Sequence, residues 1–206
     1  MERHVIINIG RQYGSGGKAV AERISAALGI PVYDKELLTR AGKESGYGPE
    51  FFSRRDEKRS FLNLGAIFGS GREGNVDQNY LSDSKLFQIQ SEVIRDIAAK
   101  GSAIFIGRAS DYILRDMDCL DVFICAPLEA RQARIAQRRG ISPDEAAAEI
   151  ARMDKTRREF YNFFTFRNWG EAANYDLCID SSVLGIEKTA EFIIEFGRAM
   201  ELRSDL

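Results

Sequence analysis

The apolar positions of this chain come in two patterns, and the switches between them mark its elements. Val5–Ile9 is a short apolar run interrupted only by Asn8, best read as a central buried strand. Beyond a glycine-rich stretch, Val20, Ile24, Ala27 and Leu28 recur at helical spacing until Gly29 and Pro31 stop them. Pro31–Tyr33 predicts a second strand ending at Asp34, and Lys35–Lys43 a second helix. A chain that opens β-α-β-α implies a parallel sheet. Ala103–Ile106, Leu120–Cys125 and Leu177–Asp180 predict three more strands. Between them, Leu86, Ile89, Val93, Ile94 and Ile97 mark a helix, with Asp83 or Ser84 as its N-cap and Gly101 as its stop. Further helices are predicted from Pro127 to Gly140, from Pro143 through Met153 toward Phe160, and over Ile186–Leu202.

Two regions interrupt this rhythm. Pro49–Ser60 is charge-rich, with Phe51, Phe52 and Phe61 as apolar contacts, and Gly65–Tyr80 scatters glycines among polar residues. A long loop of that kind in a compact domain usually carries function. Phe160–Trp169 is dense in aromatics; helical packing is its default reading and nucleobase stacking the lesser one. With no repeat or low-complexity tract, residues 1–206 read as a single α/β domain. Its core is expected over 1–48, 101–126 and 174–206, with an insertion at about 49–100 and a helical lid at about 127–165.

The chain's 206 residues suffice for such a domain with a sizeable core. A net charge of −2 argues against a general nucleic-acid binder, so any basic cluster must be local and specific. Cys119, Cys125 and Cys178 show no metal-ligand or redox spacing, and His4 has no companion histidine. Two of the three cysteines fall in strand-like runs and read as inert core thiols. There is no signal peptide and no long apolar run, so no membrane partner is expected and the expected location is cytoplasmic.

Candidate chemistry concentrates in Ile6–Val20. Strand, then Gly10, Gly14, Gly16 and Gly17, then Lys18 and a helix is the order of a phosphate-binding loop. Its backbone N–H groups and the helix dipole would face an anion, with Lys18 adding a mobile charge. Against the full G-x-x-x-x-G-K-[ST] pattern, the first glycine falls on Gln12 and the Ser/Thr on Ala19. The hydroxyl that normally touches Mg²⁺ is therefore missing, and an ordinary glycine-rich turn is the competing reading. Ligands of open parallel sheets bind at the carboxyl ends of strands, where Asp34 and Arg108 fall. Asp34 also reads as a helix cap, whereas Arg108 calls for a carboxylate or phosphate. Arg40, on the next helix, reaches toward the same acceptor. Arg131, Arg134 and Arg138 share one helix face, which is either a solvated surface or an anion grip. After a strand in a glycine-loop protein, the grip is the better reading, since phosphoryl transfer needs cations around the moving group. Asp154 and Arg157 are i, i+3: either an intrahelical ion pair or a lid arginine held by its aspartate. Arg152 and Arg158 have weaker claims.

In order and spacing, Gly14–Lys18, Asp34, Ile106-Gly107-Arg108, the arginine helix and Asp154-x-x-Arg157 resemble bacterial cytidylate kinases. Arg11–Gly17, Tyr33–Leu37 and Asn174–Ile179 are similar to the cytidylate kinase-like family. The resemblance spans nearly the whole chain. It implies the P-loop NTPase-type three-layer α/β/α fold with a five-stranded parallel sheet, and phosphoryl transfer from ATP with Mg²⁺ to CMP or dCMP. Gly14, Ser15, Gly16, Gly17 and Lys18 would hold the ATP phosphates. Asp34 would lie near the acceptor's sugar, Arg108 and Arg40 at its phosphate, and the 49–100 insertion around the acceptor. Arg131 and Arg157 would close on the transferring phosphoryl, with Asp154 orienting Arg157. The chain departs from cytidylate kinases at Ala19 and Val20, where they carry Gly and Thr. It departs again at Ala109, where they carry an acidic residue; Asp111 lies close but off register. A kinase for another small acceptor and a non-catalytic nucleotide-binding protein are the alternatives.

Overall fold

The structure is a computed structural model that describes residues 4–44 and 76–203, with side chains over 4–39 and 84–200. The predicted charge-rich segment Pro49–Ser60 and the side chain of Arg40 lie outside the described residues.

Five parallel strands form one sheet: β1 (Ile6–Arg11), β2 (Val32–Tyr33), β3 (Ala103–Ile106), β4 (Leu120–Cys125) and β5 (Leu177–Asp180), in the order β2-β3-β1-β4-β5. Seven α-helices accompany them among the described residues: α1 (Gly17–Leu28), α2 (Lys35–Glu44), α3 (Val76–Lys100), α4 (Ser110–Ile113), α5 (Leu128–Arg139), α6 (Pro143–Thr165) and α7 (Ser181–Arg203). Apolar side chains on both faces of the sheet explain the continuous runs. Ile7 and Ile9 of β1 pack with Val20 and Ile24 of α1 and Ile193 of α7. Ile6 points the other way, into Val93 and Ile94 of α3 and Leu114 beyond α4. Burying such side chains stabilises the fold by roughly 1.5–3 kcal/mol each.

The strands follow the predicted runs, with instructive extensions. β1 continues through Gly10 and Arg11 because both pair in register with β4, Gly10 opposite Phe123 and Arg11 opposite Ile124. α3 begins at Val76, so its residues from 76 to 80 are helical rather than loop, and Asp83 and Ser84 lie inside the helix rather than capping it. The segment expected to form a lid, about 127–165, is an α5–α6 hairpin. Gly140 closes α5 at φ 67°, and Ser142 and Glu145 form a reciprocal capping box with Pro143 at the first turn of α6. α6 runs on to Thr165 and carries the aromatic stretch into packing: Phe164 stacks on Phe87 at 4.2 Å, and Trp169 meets Phe123 edge-on at 5.4 Å. α7 begins at Ser181, earlier than predicted, with a break at Gly185. Cys125 is half-buried, but Cys178 is exposed, so it is not a core thiol.

Candidate active site

The carboxyl ends of β1 to β4 meet at one rim. The glycine loop fills the gap between β1 and α1, with Gly14 and Gly16 at φ 83° and 82°, a conformation that favours glycine. Gln12 ties the loop to the sheet: its N–H donates to the Ile124 carbonyl at 3.0 Å, and its side-chain oxygen accepts from Ala126 N–H at 3.1 Å. Ser15 is fully buried and donates its hydroxyl to the Gln12 carbonyl at 2.9 Å. The first N–H groups of α1 have no partner within the helix and open toward the loop's concavity. The residues therefore fit a polyphosphate. They do not offer the usual side-chain oxygen for a metal, since position 19 is alanine and the Ser15 hydroxyl is turned inward.

Lys18 extends from α1 to Asp34 at the end of β2, Nζ to Oδ2 2.9 Å, with the lysine side chain 64% exposed and the aspartate 15%. Burial pushes the Asp34 carboxyl up, but the Lys18 ammonium and the Leu37 N–H, which donates to Oδ1 at 3.1 Å, bring it net below its ordinary value. The Asp34 hydrogen bond to Lys18 in turn raises the lysine. Asp34 thus serves both readings, capping α2 while fixing the lysine.

The lid arginines converge on the loop backbone. Arg131 is buried; its Nε donates to the Ala126 carbonyl at 2.9 Å, and Nη1 to Asp154 Oδ2 at 2.6 Å and the Tyr13 carbonyl at 3.3 Å. Asp154 Oδ1 accepts the Tyr13 N–H at 2.7 Å. Arg134 donates to the Gly14 carbonyl at 2.6 Å, and Arg138 to the Tyr13 hydroxyl at 3.2 Å. The Arg131–Arg134–Arg138 face is thus turned onto the loop and is no idle surface. One expectation is corrected here: the hydrogen bonds of Asp154 go to Arg131 and Tyr13 rather than to Arg157. An i, i+3 spacing permits the intrahelical pair, but Asp154 is buried between α5 and the loop. Arg157 reaches further and donates to the Arg11 carbonyl at 3.0 Å, with its guanidinium 5.3 Å from the centre of the Tyr13 ring. Arg152 and Arg158 are exposed.

Arg108 follows β3 with a left-handed backbone, φ 64°, and lies 5.2 Å from the centre of the Phe160 ring. Burial, with Arg157 adding to it and Glu36 opposing, lowers its pKa to about 10. Asp111 does not replace the acidic neighbour missing at Ala109. It is buried and accepts the Tyr161 hydroxyl at 2.6 Å. A residue not singled out from sequence completes the rim: Arg11, whose stem passes over Gly17 and whose guanidinium lies against Gly107. A cleft of about 230 Å³ at the opposite end of the sheet, lined by Val5, Leu28, Ile193 and Met200 among others, is mostly apolar and remote from these groups.

A glycine loop before a helix, a lysine above it and arginines from a helical hairpin, all at the carboxyl edge of a 2-3-1-4-5 parallel sheet, define a P-loop kinase architecture. The chain belongs to the cytidylate kinase-like family, which it matches over residues 6–183. It is 26% identical over 188 residues to a protein named cytidylate kinase from Methanopyrus kandleri, covering 86% of this chain and 85% of that one. It is 24% identical to another so named from Aeropyrum pernix, covering 90% and 94%. Among solved structures it resembles an uncharacterized protein from Eubacterium ventriosum, with a TM-score of 0.72, 26% identity, and 94% and 98% coverage. A shikimate kinase from Bacteroides thetaiotaomicron, at a TM-score of 0.51 and 15% identity over 98% and 99% of the chains, shares the fold.

Proposed function

We propose that this protein transfers a phosphoryl group from ATP, with Mg²⁺, to a nucleoside monophosphate, CMP or dCMP by family likeness. The observation that carries this reading is the meeting of Lys18, Asp34, Arg108 and Arg157 at one rim from four separate segments. Lys18 would bind the β/γ-phosphates and Asp34 would hold it aimed there until ATP enters. Arg108, with Arg40, would take the acceptor's phosphate. Arg157 and Arg131 would stabilise charge on the moving group, Asp154 locking Arg131 and the loop as one unit.

A phosphate acceptor also suits the carboxylates. An attacking hydroxyl has a proton to lose, whereas a phosphate dianion has none. Among the described residues of the rim, Asp34 is ion-paired to Lys18 and held below its ordinary value, which makes it a poor proton acceptor, while the Asp154 oxygens are taken by Arg131 and the Tyr13 N–H. A second reading, a nucleotide-binding protein without turnover, is favoured by Ala19 together with the inward Ser15 hydroxyl.

The test is ADP release from ATP and Mg²⁺ against CMP, dCMP, UMP, AMP and GMP, with Lys18→Ala as the comparison. Turnover confined to CMP or dCMP, falling about a thousandfold in Lys18→Ala, is the expected result. Retained ATP binding without turnover on any acceptor would favour the second reading.

A further inference from the structure

We propose that Tyr13 is a positioning residue whose side chain plugs the glycine loop into the α5–α6 hairpin, so that the hairpin arginines stand at the loop before a nucleotide binds. The hairpin is then a fixed wall of the site and not a lid that swings shut. This rests on the reading above for what the arginines do, and it assigns a part to a loop residue that has none there.

The hairpin's own core is incomplete without the loop. α5 and α6 bury Ile135, Ala146 and Ile150 against one another, with Ala136 and Ile141 alongside. Among the described residues of this cluster, Tyr13 alone comes from outside the hairpin. Two helices with so little apolar surface between them are held by what packs against them. A lid built to open would keep its core to itself. Here the core takes its aromatic ring from the loop that such a lid would have to leave.

The tyrosine hydroxyl is gripped from both helices. It donates to Glu149 Oε1 of α6 at 2.6 Å and accepts from Arg138 of α5 at 3.2 Å. Burial, and after it the bond to Glu149, raise this hydroxyl above its ordinary pKa, so it remains a donor at neutral pH. The backbone on either side is tied in the same way. The Tyr13 N–H donates to Asp154, and the carbonyls of Arg11, Tyr13 and Gly14 accept from Arg157, Arg131 and Arg134. At Gly14 the loop runs so close to α5 that a Cβ would lie 3.0 Å from Arg131 Cβ and 3.1 Å from Ile135 Cγ1.

Arg157 depends on the ring most directly. Its guanidinium lies 5.3 Å from the ring centre and that of Arg138 5.7 Å, both within cation–π range. Without the ring, Arg157 would keep its bond to the Arg11 carbonyl but lose the surface on which it rests, and a void would open in the hairpin core. Arginines already in place need no reorganisation as charge develops on the transferring group, and there the positioning shows in the rate.

Two measurements test this. Spin labels on Cys178, exposed on β5, and on Asp144→Cys, exposed in the first turn of α6, report the hairpin's distance from the sheet in a chain carrying Cys119→Ala and Cys125→Ala. The expected result is one narrow distance that the ATP analogue AMP-PNP with Mg²⁺ leaves unchanged, while a rise in melting temperature shows the nucleotide bound. Tyr13→Ala should broaden that distance. A wild-type distance that shortens on nucleotide binding would overturn the proposal. In acceptor kinetics, Tyr13→Ala should lower kcat about a hundredfold with KM for the acceptor nearly unchanged. Tyr13→Phe keeps the ring and should stay within about tenfold of wild type. Tyr13→Leu refills the core but offers Arg157 no ring, so it should recover the melting temperature and not kcat. A folded Tyr13→Leu or Tyr13→Ala with wild-type kcat would likewise overturn the proposal. If Tyr13→Ala does not fold, Tyr13→Leu decides. A narrow, Tyr13-dependent distance without turnover on any monophosphate would keep the joint between loop and hairpin and discard the kinase reading.

Discussion

Two clusters of charge lie against β1, and they resolve their crowding in opposite ways. At the carboxyl end of the strand, Arg11, Arg108 and Arg157 crowd cation on cation. Further down, on the face toward α3 and α4, Asn8 donates its amide to Asp121 at 2.8 Å, and Asp111 lies near enough to push the Asp121 carboxyl up. Burial, then Asp111 and Asp176, raise Asp121 to about 7, against the pull of Asn8 and Arg167. Burial likewise raises Asp111, although the Tyr161 hydroxyl opposes it. Carboxylic acids answer crowding by taking up a proton, so this cluster needs nothing from outside. Arginines have no such exit, so their charge must be met by carboxylates of the fold or by a bound anion. Like charge at close quarters therefore points to a ligand only where the groups cannot neutralise themselves.

The sharpest break in this comparison is at the rim. Asp154→Ala would strand the buried Arg131 guanidinium and leave the Tyr13 N–H without its acceptor. It is expected to lower stability by about 3–5 kcal/mol, read from urea unfolding, and to abolish turnover. A loss below about 1 kcal/mol would mean that the loop and lid are not held by this carboxylate.

The acidic cluster should respond with the other sign. Asp121 has a folded pKa near 7 against an ordinary 3.8, so its contribution is fully favourable only below about pH 4 and is lost as pH rises through 7. Asp121→Asn keeps an acceptor for Asn8 and removes the ionisation. At pH 8 it should raise the melting temperature by on the order of 5 °C, and near pH 4 the two proteins should melt together. An equal shift at both pH values would remove protonation as the explanation.

How far the chain could be read from its sequence follows the same division. Strands β3, β4 and β5 were legible to the residue: β3 is buried along its whole length and leaves an unbroken apolar run, while β4 and the edge strand β5 remain mostly apolar although Asp121 interrupts the one and Cys178 of the other is exposed. α3 was legible only over its buried stripe; from Val76 to Asp83 the helix carries no such periodicity, and the neighbouring glycines made it read as loop. In the site, Lys18, Asp34 and Arg108 were marked by position, each falling just past a strand or glycine loop. The lid arginines were marked by their i, i+3 and i+4 spacing. Asp154 was found but given the wrong partner, since spacing along α6 carries no information about α5 lying across it. Arg11 was missed for a deeper reason. An arginine ending a strand normally points to solvent, and only Gly107, 96 residues on in the chain and beside it in the sheet, leaves room for it to turn inward. The signal was present as glycine at 17 and 107, but it becomes meaningful only once β1 and β3 are known to be neighbours.

The smallest expected effect tests the acidic side most finely. Tyr161 donates its hydroxyl to Asp111 Oδ2 at 2.6 Å, a bond that favours the ionised acid and partly offsets its burial. Tyr161→Phe keeps the ring in the aromatic layer and removes the donor to Asp111 together with the hydroxyl's hydrogen bond with Tyr175. Above neutrality Asp111 then either stays charged with one partner fewer or takes up a proton. Either route costs about 1 kcal/mol, and the cost should shrink as pH falls and protonation no longer depends on the hydroxyl. Chemical denaturation at pH 8 and pH 5 measures both values. A pH-independent cost would mean that the hydroxyl matters through its bond with Tyr175 rather than through Asp111. A cost that grows toward low pH would mean that Asp111 donates to Tyr161 as a neutral acid. A cost confined to high pH would show the interior carboxylates adjusting to crowding by proton and hydroxyl, within the fold, an exit that the arginines at the rim do not have.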